Sequence, residues 1–224
     1  MSIKIDGILL EVIGNTFMSI AEEMGAVLVK SAYSTNIKER KDCSCALFDA
    51  GGDTIAQAEH IPMHLGSMLG MVGEIKKKYR LEDIHPGDMF IANDPYNGGG
   101  THLPDIAVAS PVFHDGKLIA FVANIAHHND VGGRVPGSNA ADSDSIYAEG
   151  IRIPVVKIFQ QTVYSFKAFQ QAIEEYSAKA EHYQADVCRV PQSINLTVTE
   201  GAFVFLVPAA LFLAPGALAA GDFT

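Results

Sequence analysis

The chain has 224 residues, with 16 Lys and Arg against 26 Asp and Glu, so its formal net charge at pH 7 is −10. This acidic surplus argues against nucleic acid as the main partner, because no basic excess exists to neutralise phosphates. The apolar share of 48% excludes a disordered polymer and suffices for one hydrophobic core. Three cysteines do not make a disulfide framework, so we expect a reducing, cytoplasmic compartment.

A long helix and a hairpin are predicted in the first quarter of the chain. Apolar residues recur at helical spacing over 8–30, and Asp6 is a suitable N-cap. A polar loop over 34–42 follows. The runs Cys43–Asp49 and Thr54–Ala58 flank a Gly-Gly turn and predict two antiparallel strands. We expect no signal peptide, because no basic segment followed by an apolar one opens the sequence.

The middle of the chain predicts a second helix and more strands. The helix covers 64–79 and ends in three lysines, interpreted as a solvated last turn that complements the helix dipole. Met89–Ala92 is a short apolar strand. The runs Ile106–Phe113 and Leu118–Ile125 enclose an Asp-Gly pair, which is a strong hairpin signal. The predicted fold class is α+β, with the N-terminal helix and the second helix packed on a mainly antiparallel sheet.

The composition changes near residue 159, so we predict a domain over 1–158 and a divergent tail over 159–224. Residues 160–184 are predicted to be helical. The stretch 202–220 carries no charge and approaches the length that crosses a bilayer. Pro208 and Pro215 interrupt it and no basic cluster flanks it, so a membrane anchor is the less favoured interpretation.

Five groups that can bind metal or transfer protons lie in two short loops at the ends of the predicted hairpin. His102 and Asp105 lead into its first strand, and His127, His128 and Asp130 follow its second. Because the start of one antiparallel strand lies beside the end of the next, the hairpin brings the two loops together at one end of the sheet. Two imidazoles and a carboxylate suit a divalent ion such as Mn, Fe or Zn.

Other patterns in the chain are less specific. Most remaining histidines are interpreted as structural, although the HxxxH spacing of His60 and His64 would let both line the site if they shared a helix face. The glycines at 98–100 and 132–133 would let the backbone approach a ligand closely. No phosphate-binding loop and no G-x-S-x-G elbow are present, and Ser138 is interpreted as a turn residue.

Several long blocks carry a family resemblance. They include KDCSCALFDAGGDTIAQAEHIPMHLGSM over 41–68, GDMFIANDPYNGGGTHLPDIAVASPVF over 87–113, VANIAHHNDVGG over 122–133 and IYAEGIRIP over 146–154. With these blocks the chain resembles the N-terminal part of the hydantoinase B/oxoprolinase family, over roughly residues 6–158. That family includes N-methylhydantoinase, 5-oxoprolinase and acetone carboxylase subunits.

The resemblance implies roles for named residues. It implies a Mn-type ion held by His102, Asp105 and His127. It implies that His128 or Asp130 acts as general base, and that four further residues contact the substrate: Asn93, Asp94, Glu149 and Arg152. It also implies that ATP binds a hydantoinase A-like partner subunit and not this chain, in agreement with the missing phosphate loop.

The implied function is one part of an ATP-dependent hydrolase of small cyclic amides, in which the metal assists the handling of an activated lactam. A subunit of an acetone or acetophenone carboxylase, acting on a ketone, is the alternative within the family. A third hypothesis is an inactive fragment, since family members are several hundred residues long and nothing after residue 159 resembles them. Under that hypothesis the tail is a truncation or frameshift product.

Overall fold

A computed structural model describes residues 6–161 apart from Pro62 and Asn139, together with 163–164 and 171. Its centre is a seven-stranded sheet in the order β2-β1-β5-β4-β3-β6-β7, with every neighbouring pair antiparallel. The strands are β1 (Cys43–Asp49), β2 (Thr54–Glu59), β3 (Met89–Ala92), β4 (Asp105–His114), β5 (Lys117–His127), β6 (Val156–Gln160) and β7 (Val163–Tyr164). The α-helices are α1 (Gly7–Ser31), α2 (Thr35–Lys38), α3 (His64–Ser67) and α4 (Leu69–Lys78), and 3-10 turns cover Leu81–Asp83 and Ile146–Ala148. The α+β class predicted from the sequence is confirmed.

The hairpin of β4 and β5 is the longest strand pair and forms where the Asp-Gly signal predicts it. Asp115 and Gly116 adopt φ values of 48° and 72°. This left-handed backbone suits glycine and is tolerated by aspartate, and it matches the twist of the two strands. The resulting register places Asp105 directly opposite His127 at the far end of the pair.

Side chains alternate between the two faces of the sheet, and each face has its own cover. Cys43, Cys45 and Leu47 of β1 belong to the apolar cluster that also contains Met24 and Leu28 of α1. The intervening β1 residues, Ala46 and Phe48, belong to a second cluster on the opposite face, under α4. Both described cysteines are buried and free.

Helix α1 is capped as predicted, since the Asp6 side chain accepts a 2.7 Å hydrogen bond from the Leu9 amide. Only its C-terminal half packs on the sheet. Leu9 and Val12, predicted to belong to the buried stripe, are 45% and 56% exposed, and the buried residues of α1 lie between Ala21 and Leu28. By length and composition α1 would also suffice to cross a membrane, a test that core helices of soluble proteins pass as well.

Several elements differ in detail from the prediction. The polar loop over 34–42 contains the short helix α2, and the helix predicted over 64–79 is divided at Met68 into α3 and α4. The lysines end α4 as predicted. In addition, Lys76 donates to the carbonyls of Ala50 and Gly51 in the turn between β1 and β2, and so fastens α4 to this hairpin.

The predicted helix over 160–184 lies largely outside the described residues. Its first residues are strand instead, because β6 runs to Gln160 and pairs with the short β7. The charge-free stretch over 202–220 lies entirely outside the described residues.

Candidate metal centre

Strand periodicity places the candidate centre on the α4 face, at one end of the sheet. Asp105 and His127 are opposite each other in the β4–β5 pair, so their side chains share a face. Ala107 and Ile125, two residues further along each strand, belong to the apolar cluster under α4. Ser44 of β1 is paired with Ile125 and so projects to the same side.

Three of the predicted ligands converge at this end. One ring nitrogen from His102, one from His127 and one carboxylate oxygen of Asp105 all lie within 4.8 Å of one another. The two imidazole rings have centroids 4.9 Å apart and are tilted by 54°. His102 Nε2 is 3.4 Å from Asp105 Oδ1. The hairpin therefore assembles a His-Asp-His group whose donor atoms are close enough together to hold a divalent ion.

Asp105 is the most constrained member of this group. It is 1% exposed, and its Oδ2 accepts a 2.9 Å hydrogen bond from Thr101. Its Oδ1 is buried without a hydrogen-bond partner among the residues that the structure describes. Burial alone would raise the pKa of Asp105, but the His102 and His64 imidazoles outweigh burial and hold this pKa below its usual range. The group is thus an anionic carboxylate with one buried oxygen directed at the histidines.

The surroundings of the centre shift the pKa values of two histidines in opposite directions. The Asp105 carboxylate, with smaller contributions from Glu149 and Asp42, raises the pKa of His102 above the ordinary histidine value. Burial, with His127 beside it, lowers the pKa of His128 to about 4. His128 is therefore neutral at pH 7, while its amide donates a 2.8 Å hydrogen bond to the Pro104 carbonyl and ties the two loops together.

Asn36 and Asp42 are also neighbours of the centre, and the sequence did not single them out. Asn36 of α2 contacts His127, with 3.3 Å between the amide nitrogen and ring Nδ1. Asp42 lies 3.6 Å from His64 Nε2, and its carbonyl accepts a 3.0 Å hydrogen bond from the His127 amide. Both come from the polar segment before β1, and the only signal for them was the concentration of polar residues in that segment.

His64 lines the centre, and His60 does not. His64 is 1% exposed, with Nε2 3.8 Å from Asp105 Oδ1. His60 precedes α3 and lies instead over Gly25 of α1, where a Cβ atom would be 3.0 Å from its Nε2. The HxxxH interpretation through a shared helix face is wrong, because α3 begins only at His64.

The side chains of Asn93 and Asp94 form hydrogen bonds with other groups of the protein. Asn93 is fully buried; its amide donates to the Leu103 and Ile151 carbonyls and accepts from the Ile153 amide, at 2.8, 2.8 and 2.6 Å. Asn93 thereby joins the His102 loop to the segment that carries Glu149 and Arg152. The carboxylate of Asp94, also buried, accepts a 2.7 Å hydrogen bond from Arg152.

The remaining predicted residues border the same loops. Asp130 accepts from the Gly132 amide at 2.8 Å. Ser138 bridges the same turn as predicted, donating to the Gly132 carbonyl and accepting from the Val131 amide. Glu149 is half-buried and is close enough to affect the pKa of His102. The 130–138 loop and the Glu149 segment are joined by a 2.9 Å hydrogen bond from the Arg134 amide to the Ala148 carbonyl.

The glycines before His102 serve packing rather than ligand access. A Cβ on Gly99 would lie 2.8 Å from the Asn93 nitrogen, and one on Gly98 would lie 2.5 Å from Glu74 Cγ. A Cβ on Gly100 would lie 2.8 Å from the Asp105 carbonyl oxygen. The expectation of a ligand cradle at 98–100 is corrected accordingly, since protein atoms already occupy the space that the glycines leave.

The sequence and the fold match known proteins. The family model described as hydantoinase B/oxoprolinase matches residues 6–195. The chain belongs to the hydantoinase B/oxoprolinase family. It is 42% identical over 176 residues to a 5-oxoprolinase of Dictyostelium discoideum, which covers 77% of this chain and 13% of that protein. The family match extends beyond residue 158, where the motifs recognised in the sequence end.

Two solved structures are similar to this one. The ATP-dependent caprolactamase of Pseudomonas jessenii matches with a TM-score of 0.67 and 27% identity, over 91% of this chain and 37% of that one. Nucleotide-free acetone carboxylase shares the fold with a TM-score of 0.67 at 20% identity, over 92% of this chain and 28% of that one. The chain thus spans well under half the length of each protein compared.

The residues present fit a metal ion. Two imidazoles and one carboxylate form a donor set suited to Mn, Fe or Zn, with the carboxylate favouring the harder ions. The buried Asp105 Oδ1, with no hydrogen-bond partner in the described part of the chain, is an anionic oxygen whose burial a bound cation would compensate.

Proposed function

We propose that this chain carries the metal-binding part of an ATP-dependent hydrolase of cyclic amides, of the 5-oxoprolinase or hydantoinase type. Two observations from comparison support it: membership in the hydantoinase B/oxoprolinase family, and similarity above 25% identity to proteins named 5-oxoprolinase and ATP-dependent caprolactamase. Both named substrates are lactams.

One structural observation carries the proposal: His102 and His127 each bring a ring nitrogen to within 4.8 Å of a carboxylate oxygen of Asp105, whose Oδ1 is buried. These three residues would hold a divalent ion, Mn, Zn or Fe. When bound, such an ion supplies Lewis acidity, which polarises a carbonyl-type oxygen or lowers the pKa of a water molecule.

The chain's own side chains supply the remaining functions in this proposal. His128 is the first candidate base for the attacking water, because it directly follows His127 of the candidate centre. Asp130 is the second candidate base. Glu149 and Arg152 contact the substrate, and the buried Asn93 and Asp94 fix the backbone around them through the hydrogen bonds described above.

ATP enters through a partner in this proposal. The sequence has no phosphate-binding loop, so a hydantoinase A-like subunit or domain binds ATP and activates the lactam, and this chain receives the activated amide. The two buried free thiols accord with a cytoplasmic location for such a complex.

The test is reconstitution. The chain is combined with a hydantoinase A-like partner, MnCl₂, ATP and either 5-oxoproline or hydantoin, and ADP and ring-opened product are measured together. We expect coupled turnover by the wild type, and turnover reduced at least about a hundredfold by Asp105→Asn. His114→Ala, at the opposite end of β4, is the matched control and should keep full activity.

A parallel reaction with bicarbonate and acetone tests the alternative within the family, a ketone carboxylase. Carboxylation of acetone without lactam hydrolysis would favour this alternative over the cyclic-amide hydrolase. Turnover in neither reaction, with a partner that is active with a full-length relative, would contradict the proposed activity and favour the inactive-fragment hypothesis.

A further inference from the structure

His64 is buried beside the candidate metal centre without belonging to the group of three ligands. We propose that His64 is a positioning residue: its Nε2–H faces Asp105 Oδ1 and holds this oxygen in place for the metal. The inference rests on the proposed metal site and extends it to a residue that is not one of its three ligands.

The tautomer of His64 follows from its other nitrogen. Ring Nδ1 lies 3.1 Å from the Ser44 hydroxyl, which is itself fully buried on β1. Ring Nε2 faces two carboxylates, Asp42 Oδ1 at 3.6 Å and Asp105 Oδ1 at 3.8 Å. An unprotonated Nε2 would direct its lone pair at two anionic groups, so the arrangement favours the tautomer with the proton on Nε2. The Ser44 hydroxyl then donates to Nδ1.

A protonated Nε2 cannot bind a metal ion, because its lone pair is used in the N–H bond. His64 therefore lies beside the ligand Asp105 and stabilises its carboxylate from 3.8 Å, slightly farther than a hydrogen bond. Thr101 holds the other Asp105 oxygen at 2.9 Å. Thr101 and His64 thus restrain Asp105 from both sides, and Oδ1 remains directed at His102 and His127.

The fold fixes His64 firmly enough for this role. His64 is the first residue of α3, and its amide donates a 3.0 Å hydrogen bond to the Ile61 carbonyl. Its own carbonyl accepts a 2.9 Å hydrogen bond from the Ser67 hydroxyl. The ring contacts Ser44 of β1 through Nδ1 and faces Asp105 of β4 through Nε2. A side chain held at both its backbone and its ring loses little entropy when Asp105 binds an ion.

The test compares two amides at position 64. In His64→Gln the amide nitrogen reaches the place of Nε2, whereas in His64→Asn it reaches only the place of Nδ1. Mn²⁺ binding to the purified full chain is measured by electron paramagnetic resonance titration, with circular dichroism to verify folding. We expect His64→Ala and His64→Asn to weaken Mn²⁺ binding about tenfold or more, and His64→Gln to stay within about threefold of the wild type.

Two further measurements separate positioning from other roles. Electron spin-echo modulation counts the imidazoles on bound Mn²⁺, and we expect two in the wild type and two in His64→Gln. Ser44→Ala leaves His64 in place but removes the hydroxyl that holds the proton on Nε2. We expect this variant also to bind Mn²⁺ more weakly than the wild type. His60→Gln, four residues away and over α1, is the control and should bind like the wild type.

The results distinguish this inference from the proposed function. Wild-type binding that His64→Ala leaves unchanged overturns the inference and retains the metal site. A wild type with three coordinated imidazoles, falling to two in His64→Gln, overturns it by making His64 a ligand. A wild type that binds no Mn²⁺ and, by elemental analysis, no Zn²⁺ or Fe²⁺ overturns both. If His64→Ala does not fold, the comparison of Gln, Asn and Ser44→Ala decides.

Discussion

Arg152 donates a 2.7 Å hydrogen bond to Asp94, 58 residues earlier in the chain, and the two form an ion pair with side chains 14% and 0% exposed. The guanidinium also lies over the rings of Tyr96 and Tyr147, 5.8 and 5.1 Å from their centroids. This pair joins the segment after β3 to the segment before β6, and the neighbouring Asn93 joins both to the loop of His102.

Removal of one member should therefore destabilise the fold. Arg152→Met leaves the buried Asp94 charge uncompensated, and we expect the free energy of unfolding to fall by about 3 kcal/mol. The double variant Arg152→Met/Asp94→Asn should lose less than the sum of the two single losses, because neither charge is then left alone. Urea denaturation followed by circular dichroism measures all four proteins. Additive losses, or a single-variant loss below about 0.5 kcal/mol, would mean that the pair has no structural role.

The glycine at position 99 should be required for packing. An alanine there places Cβ 2.8 Å from the Asn93 nitrogen and 2.9 Å from the Ala92 carbonyl carbon, so backbone has to shift. We expect Gly99→Ala to lower the free energy of unfolding by about 1–3 kcal/mol. The control is Gly14→Ala on α1, where nothing lies within 4 Å of the added Cβ and where helix propensity favours alanine by up to about 1 kcal/mol. Equal melting temperatures for the two variants would contradict this packing role.

The buried cysteines predict a loss of stability in alkali. Burial, with the Asp42 charge beside it, raises the pKa of Cys43 to about 12, and burial raises the pKa of Cys45 as well. Unfolded thiols ionise near pH 8.5–9. Above that pH the unfolded state releases protons that the folded state keeps, so stability is complete below about pH 9 and falls as the pH rises toward 12.

The measurement is urea denaturation between pH 7 and 11. Each thiol contributes at most about 1.4 kcal/mol per pH unit to the slope in this window. The double variant Cys43→Ala/Cys45→Ala should show a flatter alkaline decline than the wild type. Identical slopes would show that ionisation of these thiols does not contribute to alkaline unfolding.

The hairpin and the three-residue group were accessible from the sequence because local signals determine them. The Asp-Gly turn and the alternation of apolar residues set the register of β4 and β5, and that register alone places Asp105 opposite His127. His102 is three residues before Asp105, so it lies near the same end of β4. Little tertiary information was needed for this part of the site.

The rest of the centre depends on long-range packing. The approach of His64 to Asp105 is set by the packing of α3 against β2 and α4, and no local period in the sequence encodes that placement. The Asp94–Arg152 pair joins residues from separate loops, which appear in the sequence only as two polar positions. Likewise, the apolar spacing in α1 did not reveal that the first turns of the helix are exposed.

Metal content tests the central claim most directly. The purified wild-type chain, Asp105→Asn and His114→Ala are incubated with Mn²⁺, passed through a desalting column and measured by elemental analysis. We expect about one ion per chain in the wild type and in His114→Ala, and less than a tenth of that in Asp105→Asn, because the amide replaces the anionic ligand. Equal metal content in all three proteins, or none in the wild type, would contradict the assignment of His102, Asp105 and His127 as a metal centre.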